Sequence, residues 1–243
     1  MKSERRIYMS VLLVLLVTAG LLVVTAVPSI AAEKPSDAQA IVDKARVTFN
    51  DFMNDPQYAW LHDHMKDAKG LLIFPQILKA GYILGGSGGT GVLVLKDQKS
   101  CKWSEPAFYT IGEASYGLQI GGEASQVILL AMTERGVKSL LANSAKLGGD
   151  AGVAVGPVGM GAAAATANLS ADILSFSRSK GLYGGISFDG AVVAVRPGLN
   201  EAFYGKKVSP ADILIGHDVR NSRAMALIED LTKSAARKSA SLQ

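Results

Sequence analysis

The glycine-rich stretch Gly86-Ser87-Gly88-Gly89-Thr90-Gly91 has the form G-x-G-x-x-G of a dinucleotide-binding turn. Its centre also reads G-x-S-x-G around Ser87, the form of a nucleophile elbow, with His217 downstream as the histidine such chemistry would recruit. Both chemistries need a helix directly after the turn. In the first its N-terminal amides meet the pyrophosphate, and in the second it completes the strained elbow. The apolar run Val92–Leu95 follows instead, so the glycines are expected to form the turn of a hairpin. His62 and His64 flank Asp63, yet no third ligand stands at a zinc-binding spacing, and i and i+2 do not share a helix face. No metal or other cofactor is expected; the two histidines read as a solvated pair. Cys101 is the only thiol and lacks the context of a nucleophile, so it is expected to pack as a small hydrophobe. Glu113 and Glu123 sit in the near-copies Gly112-Glu113-Ala114-Ser115 and Gly122-Glu123-Ala124-Ser125, where two surface carboxylates are the commoner outcome. No catalytic constellation assembles, and the chain is read as a non-enzyme.

The basic residues are more informative. Lys69 and Lys79 precede the segment Gly81–Leu95, and Arg178 and Lys180 precede Gly181–Val195, a segment that echoes the first a hundred residues on. Two similar glycine-bent hairpins would put these cations at one end of a sheet. With Ser177 and Ser179 they would suit a phosphate or other anionic head group through charge-assisted hydrogen bonds. A solvated rim of strand ends is the alternative.

The elements that must position these residues follow from the rest of the chain. Its 243 residues are 49% hydrophobic and 19% charged, enough for one substantial core. The formal charge is +4, of which Lys2, Arg5 and Arg6 against Glu4 supply +2. The weakly positive remainder lacks the concentrated basic stripe of a nucleic-acid-binding domain. Residues 1–32 read as a signal peptide, with a basic start, the apolar run Val11–Val24 and small residues at Ala31 and Ala32 for cleavage. The alternative is an uncleaved anchor, since Ile7–Val27 approaches the roughly 20 residues that span a bilayer. Either way the protein is expected to be exported to the periplasm or cell envelope. Residues 33–243 then form one domain.

Ser36 and Gln39 form a capping-box pattern ahead of Ala38, Ile41, Val42, Ala45, Phe49, Phe52 and Met53, the spacing of an amphipathic helix that covers a sheet or lies on a membrane. A short helix Gln57–Met65 follows. Strands are expected over Gly70–Pro75, Gly81–Leu84, Gly91–Leu95, Ala107–Glu113, Tyr116–Gly121 and Gln126–Met132, one helix over Thr133–Leu147, and a last helix over Asn221–Arg237. Ser209-Pro210-Ala211-Asp212 is a helix start. The predicted class is α+β: an antiparallel, glycine-bent sheet or barrel with helices at both ends and one between its halves.

Six ordered blocks, Ala68–Leu93, Trp103–Phe108, Gly117–Met132, Leu147–Asp150, Val155–Gly159 and Ala171–Gly190, resemble the SYLF domain family over most of residues 33–243. The resemblance implies a lipid-binding module, with eukaryotic relatives that bind phosphatidylinositol lipids and, in some, actin filaments. For this chain it implies binding of anionic phospholipid at a membrane surface. Lys69, Lys79, Arg178 and Lys180 would hold the head group, and Phe74, with Ile77 and Leu78, would meet the apolar part. An envelope scaffold that recognises a protein partner is the alternative. Neither the oligomeric state nor the natural ligand is legible.

Overall fold

The computed structural model describes residues 33–81, 84–116, 121–159, 170–179, 182–184 and 188–236. The expected signal peptide and Lys180 lie outside the described residues. Helix α1 spans Pro35–Asn54, with proline at its first turn. Its N-cap is Lys34, without a side-chain cap bond, so Ser36 lies inside the helix rather than capping it. Proline's fixed φ starts the helix two residues early. The expected stripe Ala38, Val42, Ala45, Phe49, Phe52 and Met53 is buried against the sheet. A turn at Pro56–Tyr58 and the short helix α2 (Ala59–His64) lead into the strands.

The strands are β1 (Gly70–Gly81), β2 (Leu84–Leu95), β3 (Ala107–Tyr116), β4 (Gly121–Ala131), β5 (Ser144–Lys146), β6 (Val153–Val155), β7 (Ile173–Ser179), β8 (Leu182–Gly184) and β9 (Val192–Val195). They form one curled half-barrel sheet in the order β5-β9-β3-β2-β1-β4-β7-β6, with β8 on β7. Every described pair is antiparallel except β6 with β7. Helix α3 (Glu134–Leu141) sits between the two groups of strands, and α4 (Pro197–Tyr204) and α5 (Met225–Ala236) follow the last one. The α+β class and its helix placement are those read from the sequence. Among the described residues no helix is long and apolar enough to cross a membrane.

Several local expectations are corrected. The glycine run around Ser87 is no hairpin turn but the interior of β2, which pairs in unbroken register with β3 from Leu84 to Leu93. Gly91 faces the Ile73 carbonyl and Phe74, so closely that a Cβ there would lie 2.7 Å from Phe74 Cδ1. Glycine is required by that close approach of two strands, not by a turn. The hundred-residue echo is not a repeated hairpin either: Leu182–Gly184 pairs with β7, whereas Val192–Val195 pairs with β3 and β5. The helix expected over Thr133–Leu147 ends at Leu141, because Ala145 joins the sheet opposite Val193. Cys101 is exposed with φ 56° in a tight loop, not packed.

Both faces of the sheet are covered. Leu71, Ile73, Val94, Phe108, Ile128 and Phe176 meet α1, α4 and α5 on one side. Leu72, Phe74, Leu93, Tyr109, Val127 and Leu129 meet α3 and the segment holding Ile213 and Leu214 on the other. Strands buried on both faces read as continuous apolar runs, which is why these segments did not alternate in sequence.

Candidate functional site

Proline at position 75 falls in β1, a strand flanked by β2 and β4, where a missing N–H would break the ladder. The structure resolves the conflict with an irregularity: the register of β1 slips between Ile73 and Ile77 against β2, and between Phe74 and Ile77 against β4. Pro75 and Gln76 bulge there, beneath α1, and line a cleft of about 670 Å³. Asp43, Lys44, Val47, Thr48 and Asp51 of α1 form one wall; Ala124, Ser125 and Gln126 of β4 with Arg178 and Ser179 of β7 form the floor.

The floor is fixed by β pairing. Gln126 stands opposite Arg178, so their side chains share the sheet face turned to α1. Gln126 Nε2 donates to Thr48 Oγ1 at 3.3 Å and to Asp51 Oδ2 at 3.1 Å, tying helix to sheet across the cleft. Arg178 Nη1 lies 4.0 Å from Asp51 Oδ2, and both side chains are about one-third exposed, at 34% and 39%. That is a loose, solvated pair, well short of the bidentate fork an arginine can form with a carboxylate. The guanidinium therefore keeps donors for an incoming anion. Asp43 accepts from Gln39 Nε2 at 2.7 Å. Val47 at the cleft wall and Leu78, which stands opposite Ala124, are 58% and 57% exposed, so an apolar margin borders the charged centre.

The residues nominated from the sequence are not brought together. Of the described cations among them Arg178 alone enters the cleft, with the nominated Ser179 beside it. Lys79 lies further along β1, opposite Glu123 and Ser87. It is two positions beyond Ile77, which belongs to the core opposite α1, so Lys79 faces away from the cleft. Lys69 precedes the other end of β1 and is paired to Glu134 Oε1 at 2.8 Å. The expectation of one cationic cluster at one end of the sheet is thus corrected: β1 carries its two lysines to opposite ends. Phe74 is fully buried in the core opposite α1 and offers no surface, and Ile77 is buried too; of the three apolar residues named, Leu78 is exposed.

Glu113 pairs in register with Ser87, whose Oγ lies 3.4 Å from it, and Glu123 accepts from Ser125 Oγ at 3.3 Å. Two strands, β2 and β1, separate the carboxylates, roughly 14 Å at three strand spacings, too far for shared acid–base work. His62 Nε2 contacts the Phe52 carbonyl at 2.8 Å. His64 Nδ1 contacts that of Trp60 at 2.8 Å, and its ring stacks on the Trp60 ring at 3.7 Å. Both are half-buried and structurally engaged, not a solvated pair.

Sequence reasoning missed Asp43, Lys44, Thr48, Asp51 and Gln126. Asp43, Lys44 and Asp51 lie on the mixed-charge side of an amphipathic helix, and Gln126 lies beside an apolar strand run, so neither pattern by itself points to a site. The one signal for them was Pro75, which marks a bulge in an otherwise central strand.

Residues 112–234 match the family model described as "Ysc84: Las17-binding protein actin regulator". That span holds Gln126 and Arg178 of the cleft floor. The chain is 36% identical over 158 residues to LAS seventeen-binding protein 3 of Saccharomyces cerevisiae, covering 63% of this chain and 34% of that protein. It is 33% identical over 166 residues to human SH3 domain-containing YSC84-like protein 1, covering 68% of this chain and 48% of that protein. It is 35% identical over 157 residues to Protein YSC84 of Saccharomyces cerevisiae, 63% of this chain and 33% of that protein. The chain thus spans about a third to a half of the length of the curated relatives it matches. Their names are those of binding and regulator proteins rather than of enzymes. With its half-barrel sheet, its family-model match over more than half its length and these relatives, the chain belongs to the Ysc84 family, whose domain is also called SYLF.

Proposed function

We propose that this chain is a non-enzymatic interaction module that binds the head group of anionic phospholipid in the cleft between α1 and the sheet. One observation carries the reading: Arg178, one of the four cations nominated from the sequence, lies in a concave site where its partner Asp51 is 4.0 Å away and loosely held. A phosphate brought to the guanidinium gains paired, charge-assisted hydrogen bonds that Asp51 does not supply. Lys44 adds a second cation on the wall, and the exposed Val47 and Leu78 supply apolar contact for the glycerol and first acyl carbons. The expected leader would place this activity in the periplasm or cell envelope. A protein-recognition reading draws on the description of the family model and on the name of one relative, LAS seventeen-binding protein 3, and it predicts indifference to lipid charge.

The test is co-sedimentation of the full chain with phosphatidylcholine vesicles containing or lacking phosphatidylglycerol, at low and high salt, beside Arg178→Gln. The variant carries the same leader, so the difference isolates the cleft. Binding that needs phosphatidylglycerol, weakens with salt and falls about tenfold in the variant is the expected result. Equal pelleting of wild type and variant would remove the cleft from lipid binding and leave the protein-recognition reading.

A further inference from the structure

The charges in the cleft alternate. Arg178 and Lys44 are matched by Asp51 and Asp43, so the site as a whole is close to neutral. A purely anionic head group would gain at Arg178 and lose beside Asp51, since a like charge at that distance repels it. Asp51 Oδ2 accepts from Gln126 Nε2, yet the carboxylate stays 39% exposed and retains acceptor capacity on its cleft side. Asp43, Val47 and Asp51 are spaced four apart on α1, which lines up the two carboxylates along the same wall. A primary ammonium, with three donors and no acceptor, fits against such a carboxylate oxygen.

We propose that the cleft selects a phospholipid head group carrying both a phosphate and a primary ammonium, the phosphate on Arg178 and the ammonium on Asp51. This rests on the head-group reading above and narrows it. In phosphoserine and phosphoethanolamine two carbons separate the phosphate oxygen from the amine. One head group can therefore meet both partners of the Arg178–Asp51 pair at once and replace a loose ion pair with two charge-assisted contacts. Among anionic lipids this singles out phosphatidylserine over phosphatidylglycerol. The two have the same net charge, and the serine head group carries an ammonium and a carboxylate where the glycerol one carries hydroxyls.

The experiment compares binding of the full chain to phosphatidylcholine vesicles holding equal fractions of either lipid, in wild type, Asp51→Asn and Arg178→Gln. Wild type should prefer phosphatidylserine by about fivefold, the scale of one charge-assisted hydrogen bond at a half-exposed site. Asp51→Asn keeps an oxygen for Gln126 and should bind both lipids equally, while Arg178→Gln should weaken both. Glycerophosphoserine should compete in solution, and glycerophosphoglycerol should compete several-fold less well, which separates head-group chemistry from attraction to the bilayer. If Asp51→Asn unfolds at lower temperature than wild type, Asp51→Ser, which keeps an oxygen acceptor without the charge, takes its place with the same expected loss of preference. Equal wild-type binding to the two lipids, a preference that survives the aspartate variant, or no competition by glycerophosphoserine would overturn the proposal. Vesicle binding insensitive to Arg178 would instead overturn the head-group reading on which it rests.

Discussion

The Pro75 bulge divides the central strands into two halves that share one hydrogen-bond ladder and little else. On the inner side Leu71–Phe74, Val92–Leu95, Ala107–Tyr109 and Val127–Ala131 are buried on both faces. On the outer side Leu78, Lys79, Ala80, Gly86, Ala114, Glu123 and Ala124 are exposed, although β1 stays paired with both neighbours as far as Gly81. The backbone pairing is the same, so the difference lies in burial. The inner half carries the hydrophobic free energy that folds the domain. The outer half is a small-residue extension held by main-chain bonds, and the cleft opens where the two meet.

Substitutions can break that contrast. The largest effect belongs to the inner half. Phe176 is fully buried against Tyr58 and Trp60, so Phe176→Ala should cost about 3–5 kcal/mol in urea unfolding. Next comes the junction. Gly91→Ala would press a methyl group onto the Ile73 carbonyl and Phe74, and should cost about 1–3 kcal/mol, while Gly88→Ala, whose nearest neighbour would be 3.5 Å away, should be close to neutral. If both were neutral, the bulge would not be a tight contact.

A smaller, pH-dependent effect sits at the inner end of β7. The hydrogen bond from Thr133 Oγ1, 2.5 Å long, holds the Asp172 carboxyl below the usual carboxylate range. Burial opposes this, and the Gly152 amide and Arg135 assist it. A carboxylate lowered in the folded state stabilises above its unfolded pKa and loses that contribution as pH falls through its folded one. Asp172→Asn should therefore cost about 1 kcal/mol at neutral pH, and the gap to wild type should narrow below roughly pH 4. A gap unchanged between pH 7 and pH 3 would show that Asp172 acts by shape rather than by charge. The smallest effect belongs to the outer half: Lys79→Gln should move stability by less than about 0.5 kcal/mol. In the vesicle assay it should change binding less than about twofold, because it faces away from the cleft. A loss equal to that of Arg178→Gln would mean that both faces of the outer sheet meet the membrane.

Much of this was legible in the chain. The stripe Ala38–Met53 announced a helix with one buried side, the apolar runs at Gly70–Phe74 and Val127–Ala131 announced buried strands, and Ser209 with Asp212 announced a helical turn, where each side chain indeed bonds the other's amide. These are local rules: the spacing of apolar positions and the partners of orphan amides act over a few residues. Register and sidedness are not local. Lys69, Lys79, Arg178 and Phe74 looked equivalent as residues near strand ends. Pairing then set one lysine at each end of β1, turned Phe74 into the core opposite α1 and placed Arg178 opposite Gln126. A strand's side chains alternate, so the slip at Pro75 decides which residues beyond it face the helix, and only the neighbours β2 and β4 fix that slip. The sequence by itself determined the class of fold, the apolar runs that become its buried strands and the presence of a basic residue at position 178. The tertiary structure decided that this arginine meets Asp51 across a cleft, because two segments over a hundred residues apart become neighbours through the register of the sheet between them.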